Sequence, residues 1–461
     1  MTSQVMGRIL HSEDKLTVQC SSGAVQTLAP EPLREIFLHC VSNRDDTDSR
    51  CWVRCPSQAP LLLGRVCRTW RFVSDYSPEL WSSLAVGDSH FYRLDFEKDL
   101  EATKHWISKS GSRPLSLVIH YPGTYSYGAL LPPILEFLAS QSWRWMEITL
   151  TVPSEFEDVI LAPFRTGNLP QLVKFDSSIT RRSSAEFKLS SAPRLKFLHH
   201  SGNGQVHVDF SAGPHGVKRI GIHHSENPNV SLDDLFICFN HCPLLENLSL
   251  PIFFGEGRKG LPRELPSTIE LIYLTHLSLS FSKGNNPSRL FDRLFLPLLK
   301  SLELQMAIGN TVYPDWPHLQ TMFAHSRPPL QTLRLRHVPM TEATLVVCLW
   351  FISSLTELEL HGMRCSDTIL ESLTVDEGDT NASRCLCPWL ETVDFGNSWD
   401  SDFSVHAMTE MIVSRRKNAS FEMGKSLTLI KCPFAFNRIR SNPDIVECMK
   451  DGLVIIGQLN D

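Results

Sequence analysis

Two stretches near the start of the chain place apolar residues at helical spacing. Residues 33–40 and residues 63–70 each carry them at positions i, i+3, i+4 and i+7, which is one stripe of a helix. A Ser-Pro-Glu sequence that begins at Ser77 is typical of a further helix start, with proline in the first turn. The pattern predicts three short helices within residues 28–84, and a unit this small leaves apolar surface for a protein partner.

A second pattern recurs through the rest of the chain: an apolar residue, two others, an apolar residue, one other and an apolar residue. Its nine copies begin at Leu172, Leu195, Val217, Leu245, Leu274, Leu299, Leu330, Leu355 and Leu390. The steps between them are 23, 22, 28, 29, 25, 31, 25 and 35 residues. These steps scatter about the leucine-rich-repeat range of roughly 20–29 residues. Alternate residues of a strand point the same way, so the last two apolar residues of each copy should enter one core.

The stretches between the copies have helical patterns. Residues 231–242 begin with Ser231 as a cap and continue with an apolar stripe, and residues 315–326 follow the same scheme. Tandem strand–helix units predict an α/β fold, here an irregular leucine-rich-repeat solenoid with a parallel sheet on its concave face. A doubly wound α/β domain is the alternative fold, which the short helices and the uniform strand motif disfavour.

The predicted organisation has four parts. Residues 1–27 form an N-terminal segment, and residues 28–85 form a helical domain with a polar insertion at 42–59. Residues 86–114 hold a linker helix, and residues 115–461 form the repeat domain.

Composition restricts the class of protein. A chain of 461 residues with 42% hydrophobic and 20% charged residues has enough apolar material to fold. The net charge of −6 argues against a nucleic-acid partner. The longest apolar run, Leu345–Ile352, is far shorter than a bilayer span, and no signal peptide is recognised. We therefore expect a soluble protein of the cytoplasm and/or nucleus, with neither a nucleic-acid nor a membrane partner.

No catalytic or metal-binding motif can be assigned. The 13 cysteines include two closely spaced pairs, Cys51/Cys55 and Cys385/Cys387, which lie too far apart in the chain to predict one zinc site. Residues 255–260 match the G-x-G-x-x-G fingerprint, but prolines follow where its helix should run. We therefore expect no enzyme, no cofactor and no metal. The basic run at residues 415–417 is expected to be solvated surface.

The helical region also carries a set of residues whose types and spacing match those of a known family. They are Leu28, Pro30, Glu31, Leu33, Ile36 and Phe37, then Val66-Cys67-Arg68-Thr69-Trp70-Arg71, then Ser77-Pro78-Glu79-Leu80-Trp81. This region resembles an F-box, most closely the F-box-like domains abundant in mushroom-forming fungi. The resemblance implies docking onto the Skp-type adaptor of a cullin–RING ubiquitin ligase. The implied adaptor-binding positions are Leu28, Pro30, Leu33, Ile36, Phe37, Leu63, Val66, Cys67, Trp70, Leu80 and Trp81.

Two features depart from the family pattern. Pro32 stands where the family usually has an aliphatic residue, and residues 42–59 insert a polar segment between the first two helices. The alternative interpretation makes residues 28–84 a helical cap over the next domain.

Together these patterns predict a non-enzymatic substrate-recognition adaptor of a Skp–cullin–F-box type ubiquitin ligase, whose repeats bind a protein target. Strand alternation predicts that the target contacts side chains between the strand leucines. The target-binding candidates are His276, Glu303, Arg334, Glu357 and Glu359. One alternative is a leucine-rich-repeat scaffold outside any ligase. The other is an enzyme, which would need a deep pocket with perturbed ionisable residues.

Overall fold

The computed structural model describes most of the chain between residues 28 and 457. The described residues are 28–42, 58–87, 95–122, 130–223, 230–253, 264–282, 287–306, 315–375, 386–396, 402–417, 426–433 and 436–457. At residues 42, 180–183 and 436 only the backbone is described. No helix in these ranges combines the length and the apolar character that crossing a membrane requires.

Helices and strands alternate along most of the chain. The helices are α1 (Pro30–Ser42), α2 (Leu63–Val66), α3 (Arg68–Asp75), α4 (Phe96–Lys109), α5 (Pro132–Ala139), α6 (Glu157–Thr166), α7 (Leu232–His241), α8 (Ser288–Phe291), α9 (His318–Ser326), α10 (Glu342–Trp350), α11 (Asp367–Leu373), α12 (Val405–Lys417), α13 (Phe436–Arg440) and α14 (Pro443–Lys450). The strands are β1 (Ser83–Gly87), β2 (Leu115–His120), β3 (Trp145–Pro153), β4 (Lys174–Lys188), β5 (Phe197–Asp209), β6 (Arg219–His223), β7 (Asn247–Ile252), β8 (Ile269–Glu270), β9 (His276–Phe281), β10 (Leu294–Phe295), β11 (Ser301–Met306), β12 (Thr332–Arg336), β13 (Glu357–His361), β14 (Thr392–Asp394), β15 (Leu429–Lys431) and β16 (Val454–Ile456).

Fourteen of these strands form one parallel sheet. The order runs from β1 to β7, then β9, then β11 to β16, so each strand of the sheet pairs with the one that follows it in the chain. The two-residue strands β8 and β10 pair with each other outside it. The order does not reverse within the described residues, whereas a doubly wound fold reverses at its switch point. The doubly wound alternative is therefore wrong.

One register position runs through all fourteen strands and is apolar and buried in each. Its residues are Leu84, Leu117, Ile148, Phe175, Leu198, Ile220, Leu248, Leu277, Leu302, Leu333, Leu358, Val393, Ile430 and Ile455. We call this row the apolar ladder. All nine predicted copies of the repeat contribute a strand to it, which confirms the parallel α/β arrangement. The first apolar residue of each copy is also buried, just ahead of its strand.

The helices lie along the side of the sheet toward which the apolar ladder points. Successive helices from α8 to α12 pack on one another, as do α4, α5 and α6. The predicted helices at residues 231–242 and 315–326 are confirmed as α7 and α9. Ser231 caps α7 as predicted: its hydroxyl accepts the Asp234 N–H at 3.1 Å, and the Asp234 carboxylate accepts the Ser231 N–H at 2.8 Å.

The helices near the start of the chain differ in part from the prediction. The helix predicted over residues 63–70 is broken at Cys67, whose extended backbone separates α2 from α3 and whose Sγ accepts the Trp70 N–H at 3.4 Å. The helix predicted from Ser77 is only the 3₁₀ turn Pro78–Trp81, after which the chain enters β1. Glu79 in this turn pairs with Arg34 of α1 at 2.5 Å.

These helices join the sheet without a separate core. Helix α4, predicted as a linker, connects β1 to β2. Its Trp106 donates Nε1–H to the Ser83 carbonyl at 3.1 Å and packs edge-on against Trp81 at 4.9 Å. One apolar core runs from Leu33 to Ile455. The predicted domain boundaries therefore do not divide the core of the described chain.

Candidate functional site

The side of the sheet away from the helices presents polar side chains in register. We call it the open face. Along β7, β9, β11 and β12, residues between the buried positions are half-buried or exposed, whereas Glu359 of β13 and Asp394 of β14 are buried. One row of the open face consists of Asp176, His199, Gly221, Ser249, Ser278, Glu303, Arg334, Glu359, Asp394 and Lys431. The residues in the middle of the row, Gly221, Ser249 and Ser278, are small and uncharged. The side chains from Glu303 to Lys431 are charged.

A groove of about 850 Å³ lies over the small residues Gly221, Ser249 and Ser278. We call this space the groove. His199 and His223 stand beside Gly221 with ring centroids 5.1 Å apart. A Cβ atom at position 221 would lie 3.1 Å from both imidazoles, so glycine is what allows the two rings to close over the strand.

The charged groups that line the groove are mostly basic. Lys174, Arg219 and His276 share one register row, four inter-strand steps long. Among the described residues, no carboxylate lies within ion-pair distance of Lys174 or Arg219, and the Arg219 guanidinium lies over the Phe197 ring at 5.4 Å. Burial lowers the pKa of His276, and the positive charges of Lys300 and Arg219 lower it further. In this half of the open face, Lys174 and Arg219 therefore stand outside any ion pair with a described carboxylate, although Glu147 lies opposite Lys174 in the sheet register and Asp176 pairs with His199.

The other half carries a network of charges that satisfy one another. We call it the charge network, and its members are Glu303, Arg334, Arg336, Glu357, Glu359, His361, Asp394 and Lys431. Arg334 Nη2 lies 2.8 Å from Glu357 Oε1, and Arg336 Nε lies 2.7 Å from Glu359 Oε1. Because these pairs bridge neighbouring strands, the network ties β11 to β15 together.

Three members of the charge network bring metal-ligating atoms together. One atom each of Glu359, His361 and Asp394 lies within 4.8 Å of the others, a spacing that could hold a divalent cation. Both carboxylates already have cationic partners, since Arg336 binds Glu359 and Lys431 Nζ lies 2.9 Å from Asp394 Oδ2. A metal ion would have to displace these partners, so the trio is organised as a salt-bridge cluster.

Asp394 shows how completely that cluster compensates its charge. Burial alone would raise the pKa of this carboxyl. Hydrogen bonds from His361, Lys431 and the Gly396 amide outweigh burial and lower the pKa to about 2. The side chain is thus a stable anion with three donors around it.

The predicted target-binding residues fall on both sides of this division. His276 and Glu303 line the groove. Arg334, Glu357 and Glu359 instead pair with one another. Lys174 and Arg219 also line the groove but were not among the predicted residues; His199 and His223, interpreted from the sequence mainly as surface or concave-face histidines, line it as well. The outward positions of the copies that begin at Leu172, Leu195 and Val217 include Lys174, His199 and Arg219.

The predicted adaptor-binding residues also fall into two groups, one in the protein interior and one at the surface. Leu33, Phe37, Leu63, Leu80 and Trp81 are buried within the chain itself, and they hold the helices to one another and to β1. Leu28, Pro30, Ile36 and Val66 are exposed, while Cys67 and Trp70 are half-buried. A partner could therefore contact the exposed residues and the half-buried Cys67 and Trp70. It could not contact the five buried residues.

One further expectation is overturned, and others cannot be placed. Arg415, expected on the solvated surface, is only 4% exposed and donates hydrogen bonds to the carbonyls of Leu373, Leu386 and Cys387. The buried guanidinium therefore joins α12 to the end of α11 and to the segment before β14. The fingerprint at residues 255–260 and the polar insertion beyond residue 42 lie outside the described residues, except for residues 42, 58 and 59.

No model of a known protein family matches the chain, and no curated protein matches it significantly.

Proposed function

We propose that this chain is a substrate-recognition adaptor of a Skp–cullin–F-box type ubiquitin ligase. In this proposal, the helices α1–α3 and the turn after them form an F-box-like unit that docks on a Skp-type adaptor. The strand–helix units that follow form a leucine-rich-repeat solenoid whose open face binds a protein target. Catalysis would belong to the ligase, and the chain would raise the effective concentration of a substrate lysine near the ubiquitin carrier.

The observation that carries the proposal is the apolar surface of the first helices. Within the described residues, 6 of the 17 exposed large apolar side chains lie between residues 28 and 76: Leu28, Ile36, Leu62, Val66, Phe72 and Tyr76. Phe72 and Tyr76 pack on each other at 4.6 Å on α3, and both are largely exposed. Exposed apolar residues concentrated on one small unit are typical of a protein-docking surface.

The sheet order supports the repeat half of the proposal. Successive strands of a solenoid pair with their nearest neighbours in the chain, as β1 to β7 do here. The apolar ladder supplies one buried residue per unit, and the open face is left to vary. An uncovered sheet face with polar side chains is the kind of surface on which repeat proteins bind their partners.

Adaptor binding tests the proposal directly. The purified chain is mixed with a Skp-type adaptor from a mushroom-forming fungus, and complex formation is followed by pull-down and by size-exclusion chromatography. The double variant Ile36→Asp/Val66→Asp places two charges on the exposed helical surface while leaving the buried residues intact. We expect it to lose binding by at least about tenfold, because each charge would be desolvated in the complex.

Ile272→Asp is the matched control. Ile272 is 44% exposed and Ile36 is 45% exposed, but Ile272 lies beside β8, far along the chain from the helices. The control should bind as the parent does, and circular dichroism should show the same fold for all three proteins. If the folded parent does not bind the adaptor, the ligase role is wrong and the chain is better explained as a repeat scaffold whose first helices cap the sheet.

A further inference from the structure

The groove on the open face combines three properties that point to a ligand. It is large, at about 850 Å³, and small residues form its floor. Two permanent cations, Lys174 and Arg219, line it, and neither forms an ion pair with a described carboxylate, although Glu147 lies opposite Lys174 on the next strand. The chain as a whole carries a net charge of −6, so this concentration of positive charge is local.

The remaining lining of the groove supplies hydrogen-bond donors. Asn247, Ser249 and Ser301 lie between or beside the basic side chains. Glu303 is the one carboxylate among the described lining residues; it stands at the far end and is 3.2 Å from Arg336 of the charge network. Arg and Lys together with hydroxyl and amide donors are the groups that bind oxyanions.

We propose that the groove binds an extended segment of a partner protein that carries oxyanion side chains at every third residue. The identification of the occupant as a protein segment rests on the proposed function; the preference for oxyanions rests on the groove alone. The oxyanion can be a carboxylate of Asp or Glu or a phosphate on a serine, since both accept hydrogen bonds from the same donors.

The spacing follows from the sheet. Lys174, Arg219 and His276 stand on β4, β6 and β9, so two inter-strand steps separate each from the next. Two steps of about 4.8 Å make roughly 9.6 Å. A polyproline II segment rises about 3.1 Å per residue and repeats its direction every three residues, so residues i, i+3 and i+6 lie on one side about 9.3 Å apart. The two repeats match.

Labelled seven-residue peptides test this on the full-length protein by fluorescence anisotropy. The first is Glu-Pro-Ser-Glu-Pro-Ser-Glu, and the second has phosphoserine in place of each glutamate. A third has the composition of the first with its glutamates adjacent, and a fourth has lysine in place of glutamate. We expect binding of one or both spaced acidic peptides, weaker binding of the adjacent arrangement by at least about threefold, and none of the lysine peptide. Whichever spaced peptide binds more tightly identifies the oxyanion.

Two variants locate the site: one removes two positive charges from the groove, and the other removes a single positive charge outside it. Lys174→Gln/Arg219→Gln should weaken binding by at least about tenfold, because charge-assisted hydrogen bonds are lost. Arg194→Gln removes an exposed arginine just before β5 that does not line the groove, and it should change the affinity by less than about twofold. Affinity should also fall as salt is raised from about 50 to 200 mM.

Three outcomes would overturn the inference. The first is that neither spaced acidic peptide binds, and the second is that Lys174→Gln/Arg219→Gln binds the peptide as tightly as the parent protein does. The third is equal affinity for the spaced and adjacent peptides, which would refute the spacing. Adaptor binding by Lys174→Gln/Arg219→Gln is measured in parallel. Because these residues lie on β4 and β6 and not in α1–α3, adaptor binding with no peptide binding would reject this inference alone. Peptide binding without adaptor binding would reject only the ligase role.

Discussion

The groove and the charge network lie on the same face of the same sheet, yet they use charge in opposite ways. In the charge network, every carboxylate has a cation on a neighbouring strand, as with Arg336 and Glu359 at 2.7 Å. In the groove, neither Lys174 nor Arg219 forms an ion pair with a described carboxylate, although Glu147 stands opposite Lys174 in the register. Both regions are built from the same positions of the same repeated motif.

The comparison separates structural charge from available charge. Paired charges on adjacent strands add cross-strand stability and leave little net field for a ligand. Unpaired charges add no such stability, but they remain free to bind. Sequence position alone treats Arg219 and Arg334 alike, since each occupies an outward place in its strand. The partner across the next strand decides which role each residue has.

Removal of one arginine from each region should give the largest contrast in stability. Arg336→Met leaves the buried Glu359 with one cationic partner fewer, and we expect it to lower the free energy of unfolding by about 2 kcal/mol. Arg219→Met removes a charge with no ion pair and should change stability by less than about 0.5 kcal/mol. Urea unfolding followed by circular dichroism measures both. Equal losses would mean that the two regions do not differ in this respect.

The two regions should also differ in their response to pH, because buried titratable groups lie under the groove half. Burial, aided by His199, lowers the pKa of His200 to about 4 from its ordinary 6.5. Its contribution to stability is therefore complete above pH 6.5 and is lost as the pH falls toward 4. Burial raises the pKa of Glu157 to about 7 from 4.5. Its contribution is complete below pH 4.5 and is lost as the pH rises toward 7.

The two residues change the free energy of unfolding with pH in opposite directions. Variants that remove one residue at a time should therefore reveal the pH dependence due to the other. His200→Asn leaves the Glu157 slope, and stability should then rise by about 1–2 kcal/mol as the pH falls from 7 to 4.5. Glu157→Gln leaves the His200 slope, and stability should fall by a similar amount from pH 6.5 to 4. Asp394 stays ionised throughout, because its pKa is about 2. Thermal unfolding across this range measures the slopes, and identical profiles for both variants would contradict the assignment.

The smallest effect is expected at the border between the two regions. Glu303 lines the groove but is bonded to Arg336 and accepts the Ser278 hydroxyl at 3.3 Å. Glu303→Gln removes the negative charge at the end of the groove and should tighten acidic-peptide binding by about threefold. Glu357→Gln, two strands away, is the control and should leave that affinity unchanged. Weaker binding by the Glu303 variant would mean that the carboxylate itself contacts the ligand.

Much of the fold could be predicted because strand periodicity is local. The repeat was overlooked where other residues replace leucine. Trp81 and Trp145 begin copies that end in β1 and β3, and Leu427 begins a copy that ends at Cys432 after β15. Tryptophan and cysteine are buried there as leucine is elsewhere. All three stretches satisfy the apolar pattern defined above, so applying it to every apolar residue type would have included them.

The candidate site could be predicted only in part. Alternation identified the outward residues of each strand, including His276 and Glu303. It could not pair Arg334 with Glu357, since that contact depends on the register between strands 25 residues apart, from Thr332 to Glu357. Arg415 illustrates the same limit, because its three carbonyl partners, at the end of α11 and before β14, lie 28 to 42 residues earlier in the chain.

The apolar ladder has a consequence for how such a chain can evolve. Neighbouring ladder residues are separated by as few as 22 positions, from Leu198 to Ile220, and by as many as 37, from Val393 to Ile430. The register of the sheet is unaffected by this variation, since added residues lie between strands and lengthening a loop costs little free energy. A single residue inserted within a strand would instead turn every later side chain of that strand to the other face. The number of residues between strands can therefore change during evolution. The number of residues within a strand is under selection to stay the same.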